Sequence, residues 1–402
     1  MVNVQPFRGL RYDPEVVGDW GAVLGPPYDI VDAAQTASLK DSSPYQIAHV
    51  ETASGDEIQA AARTLQDWRS SGAVVQDDAH SYYLHEHHFG DGQVRRAIFG
   101  AVELTPWGDG VMAHERTMPG PKATRTALRS IVGADVSPLM AFVPDVDGVL
   151  AELIDNAAQL ARLCEGTDPT GDSHTLRRID GANTVLRIGD AFANDTIYMA
   201  DGHHRYESAL ASIDDRPRSR NVLMGIACAD DPALVVGATH RVVYVDAPAS
   251  LVAQLGRNFR ISEIDAGNLP ARLADGSSSL GLVTSQGAWL LEPNEAAASA
   301  MPDDVPDAWR NLAPAVLQHV ILEPILRIDA EVLAGGQAIA YTHHLDELLD
   351  AVSNGSASCG FVLPAPTLQD VIDTADAGSF MPQKSTYFVP KLPTGLVLHG
   401  LD

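Results

Sequence analysis

Residues 195–213 constrain the fold more than any other stretch of this chain. Asp195-Thr196-Ile197-Tyr198 is a β-branched and aromatic run that reads as a strand, and Tyr206 to Ile213 reads as a helix. Met199-Ala200-Asp201-Gly202-His203-His204-Arg205 joins them, so a strand hands over to a helix within a few residues. Gly202 lets the backbone turn sharply and come close to a ligand. The open amides of a helix start, with Arg205 beside them, form a ready anion site. The plain alternative is a capped turn carrying a chance His pair, but two imidazoles and a guanidinium make little sense on an ordinary surface turn.

Elsewhere strand and helix signals alternate. Ile58, Ala61, Leu65 and Trp68 recur at helical spacing between Ser54 and Gly72. Ser81–Phe89 and Val94–Leu104, joined by Gly90-Asp91-Gly92, have the signature of a β-hairpin. Leu150–Leu163 reads as an amphipathic helix. Val222–Ala227 and Leu234–Ala238 read as buried strands, and Leu280–Thr284, Ala288–Leu291 and Ser358–Leu363 as strands, before a helix over Thr367–Ala375. Asn294–Asp307, with two prolines and several acids, reads as an exposed loop. Hairpins together with strand–helix alternation predict a mixed α/β fold with a partly antiparallel central sheet. The expected division is a core over 1–245, a smaller α/β lobe over 246–350, and a segment over 351–402 that returns to line the active-site cleft.

The 402 residues carry 27 basic and 53 acidic side chains, a formal charge of −26. That field repels nucleic acid and anionic membranes, so an anionic ligand must be held by a local basic pocket. Cys164, Cys228 and Cys359 have no paired spacing and read as small buried hydrophobes in a reducing cytoplasm. No apolar run approaches the ~20 residues of a membrane span. Neither a P-loop nor a Gly-x-Gly-x-x-Gly fingerprint is present, and no basic helix-turn-helix stands out.

Basic residues are scarce, so their company matters. Lys384-Ser385-Thr386 joins an ammonium to two hydroxyls and their amides, a set that suits phosphate, with Lys391 seven positions on. His114-Glu115-Arg116-Thr117 precedes Lys122 and Arg125; a carboxylate in such company can act as a general base for a hydroxyl or ligate a metal near phosphate. His240-Arg241 follows a strand and adds another cation. His85, His87 and His88 lie on the hairpin; His85 and His87 share a strand face and such a pair can ligate zinc or copper, but without a third ligand at motif spacing the cluster reads as an exposed polar face. His343-His344 reads as a surface turn.

Pro26-Pro27-Tyr28-Asp29, His114-Glu115-Arg116-Thr117, Asp201-Gly202-His203-His204-Arg205-Tyr206 and Pro382-Gln383-Lys384-Ser385-Thr386-Tyr387-Phe388 occur in this order. Over nearly its whole length the chain thereby resembles the prokaryotic family catalogued as domain of unknown function 1015. More distantly, residues 110–245 are similar to the nucleotide-handling core shared by ParB and sulfiredoxin, in a form most like the free serine kinases. That likeness implies Glu115 as the catalytic base, Asp201 as a magnesium ligand or substrate-orienting group, and His203, His204 and Arg205 around the transferred phosphoryl group. Ala113 stands where those kinases tend to carry proline, and the intervening segment is longer here.

The expectation is a kinase of a small hydroxylated metabolite, L-serine first, using ATP, ADP or pyrophosphate with Mg2+. Glu115, Asp201 and His204 are the expected catalytic residues, and Asp201 the metal ligand. His114, Thr117, Lys122, Arg125, Gly202, His203, Arg205, His240, Arg241, Lys384, Ser385, Thr386 and Lys391 are assigned to phosphate or nucleotide. Tyr28, Asp29 and Tyr206 are assigned to the substrate. The rival expectation is a ParB-like nucleotide-binding switch that works through protein partners, and a metal hydrolase comes third.

Overall fold

The structure, a computed structural model, describes residues 2–116, 122–273 and 276–402, the Ala334 side chain excepted. The chain forms two compact units. The first takes residues 2–113, 122–235 and 390–402; the second takes 114–116 and 236–389.

The first unit is built on a mixed nine-stranded sheet: β1 (Val4–Gln5), β2 (Tyr82–Phe89), β3 (Gln93–Glu103), β4 (Val111–Met112), β5 (Leu139–Val143), β6 (Cys164–Thr167), β7 (Ser173–Ile179), β8 (Ile197–Asp201) and β9 (Asn221–Cys228). Its order is β4-β8-β5-β9-β3-β2-β7-β6, with β1 also on β3. The β4–β8 and β5–β9 pairs are parallel and the others antiparallel. The expected hairpin is present, with Phe89 opposite Gln93 and positive φ at Gly90 and Gly92 closing the turn. Strand β5, Leu-Met-Ala-Phe-Val, is buried throughout, as a strand covered on both faces must be.

The helices of this unit include α1 (Ile58–Ser70), α2 (Lys122–Val132), α3 (Val149–Ala157), α4 (Ala182–Ala193) and α5 (His203–Ala211). Helix α1 buries Ile58, Ala61, Leu65 and Trp68, the face its spacing predicts. Helix α3 stops well short of Leu163, because Cys164 already begins strand β6. The sheet core joins Tyr82, Ile98, Met199, Tyr206 and Met224 with Ile188 and Phe192 of α4.

The second unit has a six-stranded, wholly antiparallel sheet: β10 (His240–Val243), β11 (Phe259–Ile264), β12 (Leu280–Thr284), β13 (Gly287–Pro293), β14 (Ile339–Thr342) and β15 (Cys359–Val362), ordered β11-β13-β12-β15-β10-β14. Helix α6 (Leu345–Ser353) packs Leu348 and Val352 into its core. Thr367 caps helix α7 (Leu368–Asp376), its hydroxyl accepting from the Asp370 N–H.

Two sequence expectations need correction. Asn294–Asp307 is not a plain exposed loop: Asn294 caps a helix over Glu295–Ser299, and Ala297 and Met301 are buried. The strand near Leu234 is only Val235–Gly237 and is half-buried. Among the described residues no helix is long and apolar enough to cross a membrane. The three cysteines are buried and unpaired with each other, as expected.

Candidate functional site

Strand β8 runs into helix α5 through the Asp201-Gly202 turn. Its register against β5 shifts between Met199 and Asp201, an irregularity of the kind that re-aims a side chain at a strand end. Gly202 has φ 104°, and a Cβ placed there would lie 2.6 Å from Leu139 Cδ2. Only glycine fits this turn at low cost.

The released Asp201 carboxylate is held from both sides. Arg205 donates to Oδ2 at 2.5 Å, while its other nitrogen donates to Ser137 Oγ at 2.7 Å and to the Pro138 carbonyl at 2.8 Å. Lys391 Nζ donates to Asp201 Oδ1 at 2.9 Å and to Asp29 Oδ2 at 2.8 Å. Burial alone would raise the Asp201 carboxyl pKa, but Lys391 and then Arg205 hold it far below the usual carboxylate range. Burial would likewise lower the Lys391 ammonium, but the two aspartates raise it above its ordinary value. The motif is therefore a charged network in which Asp201, Arg205 and Lys391 favour one another's charged forms, with Asp29 sharing the Lys391 ammonium.

A second buried network adjoins it. Arg125 lies over the Tyr28 ring, 3.9 Å from the centroid, and donates to Glu51 Oε1 at 2.5 Å and to the Glu51 carbonyl at 2.9 Å. Glu51 is 1% exposed, and burial raises its pKa against the lowering pull of Arg125 and Arg205. Arg129 donates to Asp135 at 2.7 Å and to the Asn221 carbonyl at 2.6 Å. Glu51, Arg125, Arg129 and Asp135, with Ser137 and Arg205, line a cavity of about 40 Å³. Sequence reading missed Glu51, Arg129 and Asp135. No local signal marks them, since their meaning comes only from partners distant in sequence.

Other assigned residues are committed elsewhere. Lys122 pairs with Glu207. Tyr206, assigned to substrate, is fully buried, stacked on Trp107 at 4.2 Å, with its hydroxyl donating to the Thr105 carbonyl and accepting from the Thr105 N–H. It fastens α5 to the end of β3. His203 is buried beside Trp107, 5.8 Å between ring centroids, and His204 is half-buried with its carbonyl accepting from Ser208 Oγ.

In the second unit, His114-Glu115-Arg116 runs beside Met381, the His114 carbonyl accepting from the Met381 N–H at 2.7 Å. Thr386 Oγ1 lies 3.1 Å from Glu115 Oε1 and 2.9 Å from His114 Nε2. The hydroxyl has one proton to give; donated to Glu115, it leaves the oxygen to accept from the imidazole N–H. Arg241 is buried and spends its donors on the carbonyls of Thr239, Gln383 and Lys384, so it shapes the 383–384 turn from within. Lys384 takes φ 56° and is exposed, and Ser385 Oγ turns back to the Pro382 carbonyl at 2.5 Å. His240 Nδ1 accepts from the Leu363 N–H, and burial lowers its pKa to about 4. Thr117 lies outside the described residues.

The hairpin histidines are not an exposed face. His85 and His87 are 1% and 2% exposed, and only His88 faces solvent. His85 Nε2 lies 3.1 Å from His174 Nδ1, His87 Nε2 lies 2.9 Å from Asp172, and His174 Nε2 lies 3.2 Å from Asp168. Strand β7 supplies His174, and buried Arg95 closes the other side with a bond to His87. Among the described residues no group of three or more His, Cys, Asp or Glu is arranged to hold a metal ion. Asp201 accepts one charge-assisted bond on each oxygen, from Arg205 and Lys391.

Solved structures with partial likeness include a mutant free serine kinase in complex with AMP (13% identity, TM-score 0.43) and one in complex with ADP (13%, 0.42), each match covering 77% of this chain and 93% of that one. A conserved hypothetical protein from Pyrococcus furiosus matches with 13% identity and TM-score 0.40 over 77% of this chain and 98% of that one. At these values none bears on what this chain binds. Among curated proteins no sequence matches it significantly. A family model described as protein of unknown function, DUF1015, matches residues 4–314, and the chain belongs to that family.

Proposed function

We propose that this protein is a phosphotransferase that moves a phosphoryl group from ATP, ADP or pyrophosphate to the hydroxyl of a small metabolite, with L-serine the leading acceptor, in the cytoplasm. The observation that carries the reading is the Asp201–Arg205–Lys391–Asp29 network at a glycine-formed strand-to-helix turn. In a chain of net charge −26, it concentrates fixed cations beside helix-start amides, which is what a phosphoryl group requires. Phosphoryl transfer needs positioning and charge neutralisation more than covalent help from the protein. Lys391 and Arg205 would neutralise the phosphoryl oxygens, with Asp201 and Asp29 fixing where those cations sit. His203 and His204 open the same helix and would add donors. Glu115 keeps the role of base for the acceptor hydroxyl. Magnesium enters only as the counter-ion that a polyphosphate donor brings, and no step is assigned to it.

The test is phosphorus NMR of the purified protein with magnesium and L-serine, adding ATP, ADP or pyrophosphate in separate tubes. A new phosphomonoester signal, lost in Asp201→Asn and reduced at least about a hundredfold in Glu115→Gln, is expected. Turnover at the wild-type rate in Glu115→Gln would remove it as base.

A second reading, a nucleotide-binding switch acting through protein partners, is favoured by one feature. Both Asp201 oxygens are already satisfied by the chain's own cations, a closed arrangement that an arriving phosphate would have to reopen. Nucleotide binding without turnover, together with a nucleotide-driven change in oligomeric state, would select it.

A further inference from the structure

We propose that Thr386 is itself a phosphoryl acceptor, so that the protein modifies its own chain at this hydroxyl. The inference rests on the reading that the chain binds a phosphoryl donor.

Thr386 Oγ1 has the surroundings of an activated nucleophile rather than of a loop hydroxyl. It lies 3.1 Å from a Glu115 oxygen and 2.9 Å from His114 Nε2, a carboxylate and an imidazole both within reach of its proton. Its backbone N–H points to the same Glu115 oxygen at 3.4 Å, so carboxylate and hydroxyl are tied at two points. His114 is 1% exposed, which fixes the imidazole in place, while Thr386 is only half-buried and stays open to a reagent. The parallel bridge between Glu115 and Met381 and the Met381 N–H···O=C His114 bond hold the two segments in register. Ser385, one residue earlier, differs sharply. It is 2% exposed and its hydroxyl is spent on the Pro382 carbonyl, so the neighbouring hydroxyl is structural and Thr386 is the reactive one.

The turn before Thr386 also suits an incoming phosphate. Arg241, buried beneath it, draws the Gln383 and Lys384 carbonyls inward. Lys384, at φ 56°, is left exposed two residues from the hydroxyl and supplies the cation that a phosphoryl group needs.

The step balances as follows. Thr386 Oγ1 forms a bond to the terminal phosphorus of the donor while the bridging P–O bond breaks. The hydroxyl proton passes to Glu115, and the nucleotide or phosphate departs with the bonding electron pair. The product is phosphothreonine, whose added negative charge sits beside Glu115 and so displaces the carboxylate from the hydroxyl position it held.

The experiment is intact-mass and peptide-level mass spectrometry of the full-length protein after incubation with magnesium and ATP, ADP or pyrophosphate, with no acceptor added. The expected result is a gain of one phosphoryl group on Thr386, absent from Thr386→Val, retained in Thr386→Ser and lost in Glu115→Gln. An unchanged mass with every donor, in a protein that phosphorylates L-serine under the same conditions, overturns this inference and leaves the proposed function standing. A phosphoryl group found on any other residue also overturns it. If neither Thr386 nor any added acceptor is phosphorylated and no donor binds, both readings fall together.

Discussion

Lys391 Nζ and Asp201 Oδ1, 190 residues apart in sequence, lie 2.9 Å from each other in the first unit, and Asp29 shares the same ammonium. The Lys391 side chain is 11% exposed and that of Asp201 21%. Breaking a largely buried pair leaves one charge without its partner. Lys391→Met is therefore expected to cost about 3 kcal/mol in urea unfolding. Lys391→Arg should recover part of this, since it restores charge without the compact ammonium. A loss within the error of the wild-type measurement would show that the network is a surface feature.

Gly202→Ala is expected to destabilise by about 1–3 kcal/mol, because it combines a left-handed backbone with a Cβ 2.6 Å from Leu139 Cδ2. Calorimetry of the variant reads this directly. An unchanged Tm would mean that the turn relaxes freely.

Arg125 and Glu51 should be strongly coupled. Arg125→Met and Glu51→Gln are each expected to cost about 3–5 kcal/mol, and the double variant less than the sum. A strictly additive cycle would deny that the 2.5 Å pair acts as a unit.

Stability should fall as the solution is acidified from neutrality. His240, held neutral by burial with a pKa of about 4, refuses a proton that the unfolded chain accepts. Over the window from pH 6.5 down to pH 5 that difference is worth about 2 kcal/mol. Burial lowers His87 to about 2 and His85 in the same direction, so both add to the loss. Glu51, raised by burial, works in the opposite sense by regaining its proton as pH drops. Urea unfolding at the two ends of the window measures the sum; equal stabilities would contradict the buried-histidine account.

Tyr206→Phe should cost about 1–2 kcal/mol, because the Thr105 N–H and carbonyl both lose their hydroxyl partner. The change should leave KM for the acceptor intact, whereas a large rise in KM would return Tyr206 to the substrate.

The sequence was most legible where local pattern and tertiary role coincide. The hairpin turn, the α1 face, the strand at Leu280–Thr284 and the β8–Gly202–α5 junction all follow from period and turn chemistry. It was misleading where burial comes from partners far along the chain. His85 and His87 alternate like an exposed strand face, and partners such as His174 from β7, Asp172 and the Arg95 guanidinium cover them. Arg125 and Arg241 read as phosphate ligands because cations are scarce; a buried glutamate and three backbone carbonyls claim them instead. Asn294–Asp307 has loop composition, but one asparagine cap is enough to start a helix there.

The first unit takes its last piece from residues 390–402, which bring Lys391 together with the fully buried Leu396, Val397, Leu398 and Leu401. Synthesis from the N-terminus thus completes every residue of the second unit, ending at Val389, before the first can close. Until residues 390–402 emerge, Asp29 and Asp201 have no ammonium between them. A chain cut short before Lys391 by a premature stop would carry the Asp-Gly-His-His-Arg motif with its Arg205–Asp201 pair and still lack the ammonium that joins Asp201 to Asp29.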